Sequence, residues 1–458
     1  MNAQDRCFGI LLPVFSLPGN GDFDAAGPFV EFLAEAGAAI WQVLPLGPTH
    51  ADGSPYLSLS SRAGNPGFCG AGLSEQLGLP EQLQSASESM AQEFQKFCQQ
   101  EADWLDGFAL YMALREHFEQ RAWFDWPEPL RTRQADALAQ AEQEHPSRIS
   151  EIKWQQFVFF QQWQHLRSLA NHNGIQIFGD IPLYVAHDSA DVWQHQSLFQ
   201  LDEAGSPLAV AGVPPDYFSP TGQRWGNPLY DWDAMAADGF SWWIDRMNGQ
   251  SQLYDIVRID HFRGLEAFWS VPASSPTAEV GEWIKAPGQA LLRQLQQHCP
   301  NIRFVAEDLG VITPEVEALR NEFALPGMHV VQFGFDGLED NEHHPSNTAL
   351  NSVVYTGTHD NDTSVGWYAT LEEWQKVQLL ETLSAYPGDF PLNFVACVFD
   401  TVANTAIIPI QDLLGLGTDS RINVPGTVGD NWRWQLPEGW PQAQVIAQLQ
   451  SLKASYHR

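Results

Sequence analysis

Lysine is scarce in this chain. Five occur in 458 residues (Lys96, Lys153, Lys285, Lys376 and Lys453), and Lys and Arg together number 23 against 56 Asp and Glu. The formal net charge of −33 argues against nucleic acid or an anionic membrane surface as partner, because both bind through cationic patches. It disfavours a polyanionic substrate and suits a neutral one. Cysteine is sparse too. Cys7, Cys69, Cys98, Cys299 and Cys397 are scattered, odd in number and form no C-x-x-C pair. That spacing points to reduced thiols in a cytoplasmic protein rather than a disulfide framework. No uninterrupted apolar run is long enough to span a bilayer. The start of the chain leads into a short apolar run broken by Pro13, without a signal-peptide layout. No G-x-x-x-x-G-K-[ST] loop occurs, and Gly9, Gly19 and Gly21 do not make a dinucleotide fingerprint. His359-Asp360 has no H-x-x-x-H or H-E-x-x-H spacing beside it, so no metal site is expected.

What is present is core-forming. Hydrophobic residues make up 44% and aromatics 12%, enough for a large buried core. The 18 Trp serve core packing, and Trp faces also suit the apolar C–H faces of pyranose rings. Eight short apolar runs read as strands: 8–14, 39–45, 176–182, 254–260, 302–307, 329–333, 353–357 and 405–409. Helical patterns lie between them, as at 29–36, 288–298 and 314–323. Strand–helix alternation with eight strands predicts an α/β fold, a (β/α)8 TIM barrel. The spacing is uneven. A Gln- and Glu-rich stretch with helical periodicity separates the second and third strands and predicts a mostly helical inserted subdomain over 70–170. Residues 183–253 are rich in Pro, Gly and aromatics and predict a loop-rich insertion that covers the substrate. About 50 residues follow the eighth strand, too few for a separate C-terminal β-sandwich.

Three segments place a carboxylate where an apolar run stops. Ile256-Val257-Arg258-Ile259-Asp260, Phe304-Val305-Ala306-Glu307 and Val353-Val354-Tyr355 through His359-Asp360 all read as buried strands ending at a pocket. In a β/α barrel the C-terminal strand ends carry the chemistry. Any one of these carboxylates alone could be a satisfied ion pair. Three together are the ingredients of glycosidic-bond chemistry, in which a retaining enzyme holds an acid/base carboxyl and a nucleophilic carboxylate roughly 5–5.5 Å apart. Arg258, two residues before Asp260, points to the same strand face and can hold Asp260 charged. Glu307, at the end of an apolar strand, suits a carboxyl that keeps its proton. Asp308 points the other way and reads as a helix N-cap or structural residue. These residues alone do not choose between a transferase and a hydrolase.

Nearly end to end, the sequence resembles the 4-alpha-glucanotransferases called amylomaltases or disproportionating enzymes, relatives of the alpha-amylase clan. The resemblance rests on Trp41-Gln42-Val43-Leu44-Pro45-Leu46-Gly47-Pro48, Ser54-Pro55-Tyr56, Gly179-Asp180-Ile181-Pro182, the 212–230 loop, the three carboxylate segments and Arg421-Ile422-Asn423-Val424-Pro425-Gly426. It implies transfer of an alpha-1,4-glucan segment to an acceptor by a retaining double displacement, acting on maltooligosaccharides and alpha-1,4-glucans, with no cofactor. It implies Asp260 as nucleophile, Glu307 as acid/base and Asp360 as the carboxylate that binds ring hydroxyls. Arg258 and His359 would support them, and Asp180 would order the network. Tyr56, Asp216, Trp225 and Phe333 match positions lining donor and acceptor subsites, with Asn431 and Trp432 near the same cleft. Two loops depart from the family pattern, at Asn20 to Asp24 and at Pro345-Ser346-Asn347-Thr348. They bear on outer subsites and product size rather than on reaction type. The alternatives are an alpha-1,4-glucan hydrolase of the same clan and a non-catalytic glucan-binding protein. The oligomeric state is left open, a monomer being compatible.

Overall fold

The computed structural model describes residues 6–215 and 219–458. Its strands, in chain order, are β1 (Cys7–Leu11), β2 (Ile40–Gln42), β3 (Gln176–Pro182), β4 (Ala209–Val213), β5 (Gln223–Pro228), β6 (Ile256–Asp260), β7 (Ala267–Pro272), β8 (Glu282–Lys285), β9 (Arg303–Ala306), β10 (Gly327–Val330), β11 (Ser352–Tyr355) and β12 (Thr405–Pro409). Eight of them form one parallel sheet in the order β10-β11-β12-β1-β2-β3-β6-β9. The ring closes where the Ala306 N–H donates to the Pro326 carbonyl at 2.9 Å. The fold is a (β/α)8 barrel, as the strand–helix alternation predicts.

Strand alternation sorts the two cores. In β6, Ile256 joins the barrel interior with Phe178, Val305, Val353 and Tyr355. Val257 and Ile259 pack outward into the layer between sheet and helices. A period of two therefore carries Arg258 and Asp260 to the inner face. The same count takes Val305 to Glu307 in the β9 segment and Phe178 to Asp180 in β3. Gly179 lets β3 sit tight against its neighbour, since a Cβ there would meet the Tyr254 ring at 2.3 Å.

Between β2 and β3 run the helices Ala71–Leu77, Glu88–Gln100, Ala102–His117, Glu128–Arg131, Ala135–Glu144 and Pro146–His172. The last starts with Pro at its first turn, where no N–H is missed. It anchors on the barrel through Trp163, whose indole N–H donates to the Leu253 carbonyl at 2.9 Å. The stretch after β3 is more ordered than its Pro and Gly content suggests. β4 and β5 join β7 and β8 in a four-stranded antiparallel sheet of order β5-β4-β7-β8. Two β-hairpin-like pairings that are far apart in sequence build it, which local composition does not reveal. The sixth barrel strand also differs from the expected 329–333. It runs over Gly327–Val330, and Val331–Gly334 turns into a 3-10 helix. The Met328 N–H is held by Asp308 Oδ1 at 2.8 Å, which starts this strand early in spite of Pro326. Among the described residues, no helix is long and apolar enough to cross a membrane.

Candidate active site

The C-terminal ends of β3, β6, β9 and β11 converge on one cluster. At its base lies Asp180, fully buried. Its Oδ2 accepts from the Tyr56 hydroxyl at 2.7 Å and from Arg258 Nη1 at 2.7 Å. Arg258 is equally enclosed, and its other nitrogen, Nη2, meets Asp260 Oδ1 at 2.9 Å. A planar guanidinium serves two carboxylates at once, which an ammonium cannot do with the same geometry. The Asp260 side chain keeps 31% of its surface open, so it faces the cleft.

Glu307 stands beside it. Ile259 pairs with Ala306 in the register of β6 and β9, and the Glu307 N–H donates to the Ile259 carbonyl at 3.1 Å. Asp260 and Glu307 thus flank one inter-strand gap, about 4.8 Å at the backbone. Glu307 Oε2 accepts the His261 N–H at 2.7 Å, and Oε1 accepts the Leu309 N–H at 3.0 Å. His261 has a left-handed backbone (φ 56°), a conformation that side chains other than Gly rarely take. This turn directs its N–H to Glu307. Burial pushes both the Asp260 and Glu307 carboxyls above the usual carboxylate range, while Arg258 pulls each down. The Arg258 contact favours the anion on Asp260. The two backbone donors favour the ionised form of Glu307 against the effect of burial.

Asp360 enters from the loop after β11. Its Oδ1 accepts from Asn423 Nδ2 at 2.6 Å and lies 3.4 Å from His359 Nε2. Burial holds the His359 ring below the ordinary histidine range, against the pull of Asp360 beside it. That ring stacks on Tyr56 (centroids 5.2 Å apart, 12° between planes), and Trp432 leans on both at 5.9 and 6.1 Å. Trp225 approaches from β5, edge-on to the His261 ring at 4.7 Å.

Asp180, Arg258, Asp260, Glu307, His359, Asp360, Tyr56 and Trp225 are therefore brought together. Phe333 is not hydrogen-bonded or stacked to this group. It sits half-open on the turn after β10, against the His343 ring at 5.6 Å. Asp216 lies outside the described residues. Asn431 turns into its own loop, accepting the Val424 N–H at 3.0 Å, whereas its neighbour Trp432 reaches the cleft. Asp308 is no N-cap. It ion-pairs with Arg320 and takes the Met328 N–H. Residue-type reasoning gave no role to Asn423 or Arg421, which hold Asp360 from the loop after β12. Among the described residues no group of three or more His, Cys, Asp or Glu is arranged to hold a metal ion.

A (β/α)8 barrel with an Asp and a Glu across one strand gap, an Arg on the Asp and a third carboxylate nearby is the layout of an enzyme acting on glycosidic bonds. The comparisons narrow the class. The model of glycoside hydrolase family 77, described as 4-alpha-glucanotransferase, matches residues 12–75 and 71–441. The chain is 42% identical to the 4-alpha-glucanotransferase of Thermus thermophilus, covering 99% of each chain. It is 44% identical to that of Synechocystis, covering 94% of each. The solved amylomaltase of Streptococcus agalactiae, in complex with acarbose, superposes with a TM-score of 0.95 at 34% identity, covering 99% of each chain. This chain belongs to the 4-alpha-glucanotransferase family.

Proposed function

We propose that this chain moves a segment of an alpha-1,4-glucan onto the 4-hydroxyl of glucose or another glucan by double displacement. Asp260 attacks the anomeric carbon and forms the glycosyl-enzyme bond. Glu307 gives its proton to the departing glucan oxygen, then takes the proton of the acceptor hydroxyl as that oxygen displaces Asp260. Asp360 and His359 bind ring hydroxyls at the cleavage point. Arg258 draws Asp260 toward its ionised form against the effect of burial, and Asp180 fixes Arg258. Tyr56, Trp225 and Phe333 line the donor and acceptor subsites. Residues 70–170 form the inserted helical subdomain, and 183–253 cover the bound glucan. Membership of the family supports maltooligosaccharides as substrates, and the few, scattered cysteines, with no C-x-x-C pair, support a cytoplasmic location. The observation that carries the reading is Asp260 and Glu307 across one strand gap, with Arg258 bridging Asp260 to the buried Asp180.

The test is incubation of the purified protein with maltotriose, without metal or cofactor. A ladder of longer maltooligosaccharides with glucose is expected. Maltose and glucose without longer chains would make the protein a hydrolase instead. No change, with longer maltooligosaccharide donors as well, would leave only glucan binding.

A further inference from the structure

The third carboxylate is held by a segment far away in the chain. Asn423 is buried, and its Nδ2 reaches Asp360 Oδ1 at 2.6 Å. A carboxylate only accepts, so the amide must present its NH2 there. Arg421 braces the same junction. Its Nη2 donates to the Asp360 carbonyl at 2.6 Å, and its Nε donates to the Asn423 carbonyl at 2.7 Å. One guanidinium thus ties the main chain of the Asp360 loop to that of the Asn423 loop. The Asp360 loop has its own internal ties. Asn361 Oδ1 accepts from the Thr358 N–H and hydroxyl, and Asp412 accepts from the Thr356 hydroxyl and the Ser364 N–H. With both loops fixed, the asymmetry at Asp360 follows. Asn423 and His359 both lie on Oδ1. Among the described residues no donor reaches Oδ2.

We propose that Asn423 is a positioning residue for glucan transfer: it occupies Oδ1 of Asp360 and leaves Oδ2 as the oxygen that meets the sugar hydroxyls. The inference rests on the transfer reading above and deepens it. A carboxylate whose torsion is fixed by a buried amide needs no reorientation when the ring distorts, so the effect belongs in kcat rather than in ground-state binding. Asn423→Ala removes the amide and frees that torsion. Asn423→Asp keeps the shape but sets an acceptor-only carboxylate against Asp360, and the two repel.

The experiment measures kcat and KM for maltotriose disproportionation with the full chain, the wild type and both variants, alongside thermal unfolding of each. Asn423→Ala should lower kcat by about ten- to 100-fold with KM changed less than about threefold, the size of one charge-assisted hydrogen bond. Asn423→Asp, although nearly isosteric, should fall at least about tenfold below Asn423→Ala. A purely structural role gives the reverse order, because the isostere disturbs packing least. Asn423→Asp equal to or better than Asn423→Ala would overturn the inference, as would an unchanged kcat in Asn423→Ala. Should Asn423→Asp unfold, the kcat-against-KM split of Asn423→Ala decides alone. A wild type that makes no longer chains would overturn the transfer reading and this inference with it; wild-type transfer with unaffected variants overturns this inference only.

Discussion

Nη1 of Arg258 lies 2.7 Å from Oδ2 of Asp180, and both side chains are closed off from solvent. A buried charge is tolerated only with its partner. Arg258→Ala would strand the Asp180 carboxylate, whose Oδ1 already lacks a hydrogen-bond partner among the described residues. It should therefore cost about 3–5 kcal/mol of stability as well as transfer activity, seen as a lower urea midpoint. Arg258→Lys should recover much of the stability, because one cation remains. It should not recover kcat, because a single ammonium cannot present two nitrogens to Asp180 and Asp260 together.

How far this network could be read from residues alone depended on distance along the chain. Arg258 and Asp260 were legible because they are two apart on one strand, and Glu307 because its strand is apolar up to the carboxylate. Tyr56 and Trp225 came from family resemblance, with no local signal of contact. The Asn423 link was not legible. It joins polar loop residues 63 positions apart, and nothing in either segment states the pairing. The His261 donor on Glu307 was hidden for another reason: it depends on the left-handed turn at His261, which a single His in the sequence does not specify. The early start of β10 was masked by Pro326, whose breaking tendency is overcome by the Asp308 contact to the Met328 N–H.

The pH dependence of stability should carry the mark of the carboxyl pair. Burial raises both Asp260 and Glu307 in the folded protein, whereas in the unfolded chain such groups titrate near about 4. Above that value the folded state holds more protons than the unfolded one, so the pair's contribution to stability declines as pH rises through the raised values. Asp260→Asn cannot ionise and escapes the decline. Its thermal midpoint relative to wild type should therefore be higher at about pH 8 than at about pH 5, while transfer is abolished at both. A constant difference across that range would mean that burial does not raise Asp260.

Glu307→Gln separates the two halves of the reaction. A glutamine cannot supply a proton to a departing glucan oxygen, so maltotriose disproportionation should fall by about 100- to 10,000-fold. A glucosyl donor whose leaving group needs no proton still forms the bond to Asp260, since the nucleophile and Arg258 are untouched. Trapping of a covalent glycosyl-enzyme by mass spectrometry with such a donor is the expected outcome. Normal disproportionation by Glu307→Gln would remove Glu307 from the acid/base role.

Transfer over hydrolysis is a matter of which oxygen reaches the glycosyl-enzyme, and Trp225 is placed to decide it. The ring comes from β5, outside the barrel proper, and meets His261 edge-on at 4.7 Å. The same His261 supplies the N–H on Glu307 Oε2. Through His261, Trp225 is thereby linked to the carboxyl that activates the incoming hydroxyl in the proposed reaction. An indole at that point excludes bulk water and offers a flat face to an acceptor pyranose. Trp225→Ala opens the position to water and removes the acceptor's platform, leaving Asp260, Glu307 and Arg258 in place. With maltotriose, hydrolysis should rise about tenfold relative to chain redistribution, read as new reducing ends against oligosaccharides longer than the donor. The acceptor KM should rise as well, while formation of the glycosyl-enzyme from an activated donor stays near the wild-type rate. An unchanged ratio with a slowed first step would assign Trp225 to the donor side instead, because a donor contact affects the formation of the intermediate and not its partition.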